Sequence, residues 1–254
     1  MILLIGGITE ATSLAEQLAK DYDVLLSVAS PYGASLAQNS HYQTICGKRD
    51  AAGFVRLMEE YSIRLIVDCS HPFAEQVSKE VETAAQMSGI PLLRYRRSLT
   101  CDPQSDRAVL RVRTFSEAAH AARQICGDKL VFSSVGANHL PELAAIIPPE
   151  QIVARVLDRP ESLEVCRKVG IPPQQILAKR GPFSVEENLH DFGQFSLGVL
   201  ISKDSGSAGG TPEKLEAAAC MNLPVILILP PHSSADAFSS LPELIRAIHH
   251  QLKG

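Results

Sequence analysis

Short apolar segments rich in Val, Ile and Leu alternate with helix-length amphipathic segments along this chain from its first residues, and that alternation constrains the fold more than any other feature. Strands separated by helical crossovers lie parallel, so the pattern specifies βαβ units rather than a sandwich or a bundle. The first series reads as strands over Ile2 to Ile5, Val24 to Val28, His41 to Cys46, Arg64 to Asp68 and Leu92 to Tyr95. Helices are expected near Thr9 to Lys20, Ala51 to Tyr61 and Pro72 to Ser88. The polar interval Ser98 to Arg107 has no periodicity and reads as a linker. A second series follows, with strands over Val109 to Val112, Leu130 to Ser134, Ile152 to Val156, Gln175 to Ala178, Leu197 to Ile201 and Val225 to Leu229. Thr114 with Glu117 and Ser184 with Glu187 both fit a capping box at a helix start. The expected fold is α/β: two Rossmann-like lobes with mainly parallel sheets and a cleft between them. The N-terminal lobe is expected over 1–99 and the C-terminal lobe over 108–254, with a final helix near 243–252 that fits either lobe.

The chain has 254 residues, 45% of them hydrophobic, which is ample for two buried cores. Its longest apolar run, Leu223 to Leu229, is far short of a bilayer span, and Met1 to Ile5 carries no basic leader, so a cytoplasmic protein without membrane contact is expected. Six scattered cysteines without a close pair suggest reduced thiols and no protein-bound metal. A net charge of −4 and the lack of Trp argue against a nucleic-acid partner. Basic residues nevertheless collect after strands: Arg94, Arg96 and Arg97, then Lys179 and Arg180, then Lys203. Such clusters suit a polyanionic small molecule.

Ligands of open parallel sheets bind beyond the carboxyl ends of strands, so the loops there are the ones that carry chemistry. The stretch Ser202 to Lys214 leaves a strand, passes Gly206, Gly209 and Gly210, and enters a helix that Thr211 can cap and Pro212 can open. It reads as an anion cradle, with Ser205 and the three glycines offering hydroxyl and amides. Lys214 lies in the first turn of that helix, where a cation loses about 0.3–1 kcal/mol against the helix dipole; either Glu213 or a bound phosphate or carboxylate compensates it. Gly6, Gly7, Thr9 and Glu10 open the first helix and would hold a pyrophosphate, although the sequence is not G-x-G-x-x-G. The second strand ends in Ser27 and Ser30 rather than in the acid that binds NAD ribose hydroxyls, which leans toward NADPH over NADH. His71 projects at the turn after the fourth strand, as a proton donor or as a hydrogen-bonded structural residue. Lys179 and Arg180 precede a rigid Gly-Pro turn and read as ligand contacts or as a solvated turn. No P-loop, H-E-x-x-H helix or G-x-S-x-G elbow is present, and Asp68, His71 and Ser205 imitate a hydrolytic triad on paper only.

Taken together, G-G-I-T-E-A at Gly6 to Ala11, D-C-S-H-P-F-A at Asp68 to Ala74, G-I-P-L-L-R-Y-R-R at Gly89 to Arg97, G-P-F-S-x-E-x-N at Gly181 to Asn188 and S-K-D-S-G-x-x-G-G-x-x-E-K-L-x-A-A at Ser202 to Ala218 resemble the precorrin-6A reductase family, including its cobalt-precorrin-6A branch, over nearly the whole chain. One departure is Leu229-Pro230-Pro231, where related chains commonly carry an arginine before the proline. The resemblance implies reduction of one double bond of (cobalt-)precorrin-6A to (cobalt-)precorrin-6B by NADPH or NADH in cobalamin biosynthesis. Hydride transfer needs a positioned cofactor, a dry cleft and a proton source rather than a nucleophile or metal. Nicotinamide and macrocycle would meet between the lobes, with Gly6, Gly7, Thr9, Glu10, Ser27 and Ser30 on the cofactor side. Ser205, Gly206, Gly209 and Gly210 would serve either ligand's anionic groups. Arg94, Arg97, Lys179, Arg180, Lys203 and Lys214 would meet the acetate and propionate groups of the tetrapyrrole, and His71, Lys203 or bulk water would donate the proton. Two rival readings are a nicotinamide-dependent reductase or epimerase of nucleotide sugars and a non-catalytic nucleotide-binding sensor.

Overall fold

The computed structural model describes residues 1–37, 41–97, 109–230 and 237–253. The expected linker and Cys101 therefore lie outside the described residues, as does Pro231 of the Leu-Pro-Pro departure. The strands in chain order are β1 (Ile2–Ile5), β2 (Val24–Val28), β3 (Gln43–Cys46), β4 (Leu65–Asp68), β5 (Leu92–Tyr95), β6 (Val109–Val112), β7 (Leu130–Ser133), β8 (Ile152–Val156), β9 (Ile176–Ala178), β10 (Leu197–Lys203), β11 (Val225–Ile228) and β12 (Ala237–Phe238). The α-helices are α1 (Thr9–Leu18), α2 (Pro31–Leu36), α3 (Ala51–Glu60), α4 (Glu75–Ser88), α5 (Phe115–Cys126), α6 (Leu140–Ala144), α7 (Pro160–Val169), α8 (Val185–Gly193), α9 (Thr211–Cys220) and α10 (Leu241–Lys253). They form two compact units, Met1–Ser98 with Pro231–Gly254, and Leu99–Pro230.

In the first unit six parallel strands are ordered β12-β5-β4-β1-β2-β3. Successive strand residues face opposite sides. Ile2 and Leu4 join Leu14 and Leu18 of α1, whereas Leu3 and Ile5 join Phe54 and Met58 of α3 and Val81 of α4. Burial on both faces is why β1 reads as an unbroken apolar run rather than an alternating one. Each fully buried Leu or Ile contributes roughly 1.5–3 kcal/mol.

Two expectations need correction here. The second lobe does not extend over 108–254: the chain from Pro231 onward belongs to the first unit. Leu244 and Ile248 of α10 are fully buried in the same cluster as Leu14 and Leu26, and β12 supplies a sixth strand by pairing Phe238 with Tyr95. The sequence left the last helix free to cover either lobe, because residues it packs with, among them Tyr95 of β5 and Leu14 of α1, lie far from it along the chain. Likewise, α4 starts at Glu75 rather than at Pro72, because Ala74 N–H donates to the His71 carbonyl in a separate turn.

In the second unit six parallel strands are ordered β6-β11-β10-β7-β8-β9. Phe132, Leu200 and Val225 of the sheet pack on Phe192 of α8 and Ala217 of α9, with Phe132 and Phe192 edge to face at 4.8 Å. The opposite side of β10 and β11 receives α5. A Cβ on Gly198 would lie 2.7 Å from both the Cα and the carbonyl oxygen of Cys126, so close approach of α5 requires a glycine in β10. Ser184 and Glu187 form the full capping box expected of α8. At α5 only half of it forms: Thr114 Oγ1 accepts from Glu117 N–H, while the Glu117 carboxylate accepts from Arg113 N–H, one residue before the cap.

Candidate functional site

Strand order reverses in the first unit beside β1, whose two neighbours, β4 and β2, lead to opposite edges of the sheet. That is the position at which doubly wound sheets bind ligands. The loops leaving β1 and β4 touch there: a Cβ on Gly7 would lie 2.8 Å from the backbone nitrogen of His71 and 3.2 Å from Ser70 Cα. Gly6 N–H donates to Ser27 O at 2.8 Å, tying the turn to β2. Helix α1 begins immediately afterward, with Ile8 at its N-cap, an apolar side chain that makes no cap hydrogen bond to its first N–H groups. Thr9 is its exposed first residue and Glu10 its second. Glu10 accepts both Nε and a terminal nitrogen of Arg97 in a fork. Thus two residues assigned to different ligands, cofactor and substrate, are paired with each other.

Asp68, the last residue of β4, is fully buried and organises four donors. Its carboxylate accepts Ser70 N–H at 2.9 Å, Ser78 Oγ at 3.0 Å, Arg94 Nε at 3.1 Å and an Arg96 terminal nitrogen at 2.9 Å. Burial pushes its acidity in the neutral direction, but the Arg96 charge and the Ser70 hydrogen bonds outweigh it and hold the carboxyl below the usual Asp value. Arg94 also bonds Glu82, so its guanidinium is committed to carboxylates of the protein. The His71 ring is not bonded to Asp68 through Nδ1, which accepts Phe73 N–H at 3.2 Å; the neutral ring then carries its proton on Nε2. At the end of β2, Ser27 is buried, and the Ser30 hydroxyl caps α2 by accepting Gly33 N–H.

The second unit has its own reversal between β7 and β10. Asp204 to Gly210 leave β10, and Ser134 to His139 leave β7; Ser134 N–H donates to Ile201 O. The glycine loop differs from the expected amide cradle. Ser205 N–H donates to Thr211 Oγ1, Gly206 N–H to Asp204 Oδ1, Gly209 N–H to Gly206 O and Gly210 N–H to Ser207 O. These amides hold the loop's own shape. Thr211 is not the cap either: Gly210, with φ +72°, occupies that position, and the threonine hydroxyl turns back to Ser205. Pro212 consequently stands second in α9 rather than first.

What the loop does present is cationic. Lys214 is only 9% exposed and forms no ion pair among the described residues. Burial together with the charges of Arg155 and Lys203 pushes its ammonium down to about 7, against the pull of Asp204 and Glu213. Glu213, its neighbour, has a buried Oε2 without a hydrogen-bond partner. Burial also lowers Lys203 to about 8. Lys203 ends β10 rather than following it. The Lys179–Pro182 loop lies against the glycine loop, with Pro182 Cβ 3.4 Å from a Cβ placed on Gly210, and the Gly181–Pro182 peptide is cis. Lys179 is ion-paired with Asp191, whereas Arg180 is exposed.

Sequence reasoning missed two features. Arg155, Asp191 and Asn188 form a buried network under Lys179, with the Arg155 guanidinium 4.1 Å from the Phe183 ring centroid. His139 stacks on Phe115 at 3.7 Å, its pKa lowered by burial and by Lys203. A scan of all strand ends would have found the Ser134 to His139 loop, since Gly136 stands three residues after the end of β7; nothing local signalled Arg155. Among the described residues no three His, Cys, Asp or Glu side chains are grouped to hold a metal ion, and no helix is long and apolar enough to cross a membrane.

Two doubly wound parallel sheets, each with a glycine-bearing turn at its reversal point, define an α/β protein of the Rossmann-like class. The family described as precorrin-6x reductase CbiJ/CobK matches residues 1–249. The chain is 31% identical to a cobalt-precorrin-6A reductase of Priestia megaterium, covering all of both chains, and 30% identical to one of Methanothermobacter thermautotrophicus, covering 99% of this chain and 83% of that protein. It superposes on the solved CobK precorrin-6A reductase with a TM-score of 0.80 at 27% identity, covering 98% of this chain and 96% of that one. The chain belongs to the precorrin-6x reductase family, and so to the oxidoreductases that reduce a carbon–carbon double bond of precorrin-6A in cobalamin biosynthesis.

Proposed function

We propose that the enzyme binds a nicotinamide dinucleotide at the first unit's reversal point and reduces precorrin-6A or its cobalt complex to the 6B form in the cytoplasm. The observation that carries this reading is the fit of the Gly6-Gly7 turn. Gly7 is the one residue type that lets the β1 and β4 loops approach this closely, and it stands before a helix start lacking a side-chain cap. The end of β2 offers Ser27 and Ser30 and no acid, which favours NADPH. When bound, the reduced nicotinamide supplies a hydride, and the other carbon of the double bond takes a proton. Lys203 Nζ holds such a proton at neutral pH, and His71 Nε2 is the second donor. Lys203, Lys214 and exposed Arg180 collect positive charge for the carboxylates of a tetrapyrrole. Arg94 and Arg97 position loops through Asp68 and Glu10 rather than clamping substrate.

The test is optical. Reduced-nicotinamide absorbance should fall only when precorrin-6A or its cobalt form is added, and Gly7→Val should abolish dinucleotide binding in a chain that still folds. Absence of oxidation with NADPH and NADH and both substrate forms, or full dinucleotide binding by the Gly7 variant, overturns the proposal.

A further inference from the structure

A guanidinium stands where the pattern of β8 calls for an apolar side chain. Arg155 is the penultimate residue of that strand, opposite Leu177 of β9, and only 5% of it is exposed, while the other four residues of β8 are apolar and buried. Taking a charge out of water is costly, and a well-packed apolar residue would fill such a place at less cost, so stability alone does not account for it. Three phenyl rings lie about the group, with centroids at 4.1 Å for Phe183, 5.3 Å for Phe132 and 5.9 Å for Phe192. Phe132 belongs to β7 and Phe192 to α8, but Phe183 belongs to the loop between β9 and α8. A desolvated cation attracts the face of an aromatic ring, so Arg155 holds that loop by its nearest ring.

The same guanidinium reaches both ends of the loop. Arg155 Nη1 donates to Asp191 Oδ2 at 3.1 Å, and the other oxygen of Asp191 takes the ammonium of Lys179, the first loop residue. Nη2 donates to Asn188 Oδ1 at 2.8 Å, and the Asn188 amide donates to the carbonyls of Ser184 at 2.7 Å and Phe183 at 3.3 Å, where the loop ends. Arg180, Gly181 and Pro182 span the distance between these tethers, and all three are exposed. Pro182 lies against the Gly210 turn that opens α9.

We propose that Arg155 is a positioning residue for the reduction: it braces Lys179 to Phe183 against the glycine loop, so that Arg180 meets a carboxylate of the tetrapyrrole in one orientation. This rests on the reading above that Arg180 belongs to the substrate side. The donors of Arg155 are directed at Asp191 and Asn188, so it acts through the two tethers and the Phe183 ring. A lysine at position 155 would keep the charge, but it lacks the planar fork that serves two partners while lying on a ring.

Steady-state kinetics with precorrin-6A or its cobalt form, together with dinucleotide affinity, test this on the full chain. Arg155→Met should raise KM for the tetrapyrrole at least fivefold with kcat changed less than threefold, the pattern of a lost binding contact. Dinucleotide affinity should change less than twofold. Arg155→Lys should remain at least threefold above the wild-type KM. In an Arg180→Ala background, Arg155→Met should add less than twofold, since the side chain that it places is gone. Phe183→Leu leaves every charge paired and should raise KM at least threefold, which decides the matter even where Arg155→Met does not fold. A wild-type KM in Phe183→Leu and in every folded Arg155 variant overturns the positioning role. So does an Arg155→Met penalty as large with Arg180→Ala as without it, or one shared equally by dinucleotide affinity. If Arg180→Ala by itself leaves KM unchanged, the substrate-side reading of Arg180 falls and this inference with it; a raised KM there with no effect at Arg155 or Phe183 removes this inference alone.

Discussion

Arg97 closes a two-toothed fork on the carboxylate of Glu10, joining the segment after β5 to the first turn of α1 across 87 positions of sequence. The side chains are 9% and 17% exposed, so each charge depends on the other. Glu10 also sits where a helix dipole favours an anion.

Removing one partner takes the fork away from a side chain that is largely buried. Arg97→Met should cost about 1–3 kcal/mol of folding stability in urea titrations, and Glu10→Gln a similar amount. The Arg97→Met/Glu10→Gln double variant should cost clearly less than the sum, as a coupled pair requires. Strict additivity would show that the fork contributes nothing.

Asp68→Asn should be more damaging, by about 2–4 kcal/mol, because two arginines converge on a fully buried carboxylate. The sign of its pH dependence follows from a folded-state pKa held below the unfolded one. Its contribution is present in full above the unfolded value, near pH 4, and is lost as pH falls through the lower folded value. Urea midpoints between pH 2 and 6 should therefore fall more steeply on the acid side for the wild type than for Asp68→Asn.

Lys203→Met should lower turnover by about 10²–10⁴-fold if its ammonium donates the proton. With a pKa of about 8, the donor is lost as pH rises, so kcat should decline above that pH. Lys203→Arg should retain activity and shift that alkaline limb upward. His71→Ala examines the second donor, and wild-type turnover in both His71→Ala and Lys203→Met would eliminate both groups.

The charged form of Lys214 destabilises the fold, whereas the charged form of Asp68 stabilises it. The folded pKa of Lys214, about 7, lies below the unfolded lysine value, so the charged side chain destabilises the fold at and below neutral pH. The unfolded chain binds the extra proton between about pH 7 and 10.4, and stability due to this group rises across that window. Lys214→Met should raise Tm at pH 6, by about 2–4 °C for each ~1 kcal/mol gained, with the advantage shrinking toward pH 10. It should also weaken binding of a tetrapyrrole polycarboxylate. A Tm benefit that does not change with pH would contradict the charged-lysine account.

Much of the architecture was legible in local pattern. Ile2–Ile5, Val24–Val28, Leu92–Tyr95, Val109–Val112 and Ile152–Val156 are strands with the expected bounds. In β1, β2 and β8 the reason is burial on both faces of a parallel sheet, which makes short apolar runs that turn residues interrupt. Ser184 with Glu187 marked α8 because a capping box closes within four residues. The reversal-point loops were legible for the same reason: glycines and hydroxyls after a strand are a nearest-neighbour signal.

Partnership was decided elsewhere. Arg94 and Arg97 looked alike in sequence, as basic residues at the end of one strand, yet Arg94 lies within β5 and packing gave it to Asp68 and Glu82, while Arg97 follows the strand and went to Glu10. The glycine loop promised amides to a ligand, but the Thr211 hydroxyl, the Asp204 carboxylate and neighbouring carbonyls took them. Helix α10 was legible as a final helix, but which sheet it would cover was not. Periodicity and capping depend on residues within a turn or a pleat, so the chain alone determined its elements and their order. Ion pairing, desolvation and docking depend on groups tens to hundreds of positions apart, and only the folded chain, by bringing those groups into one low-dielectric neighbourhood, decided which charges were satisfied and which, as at Lys214, remained.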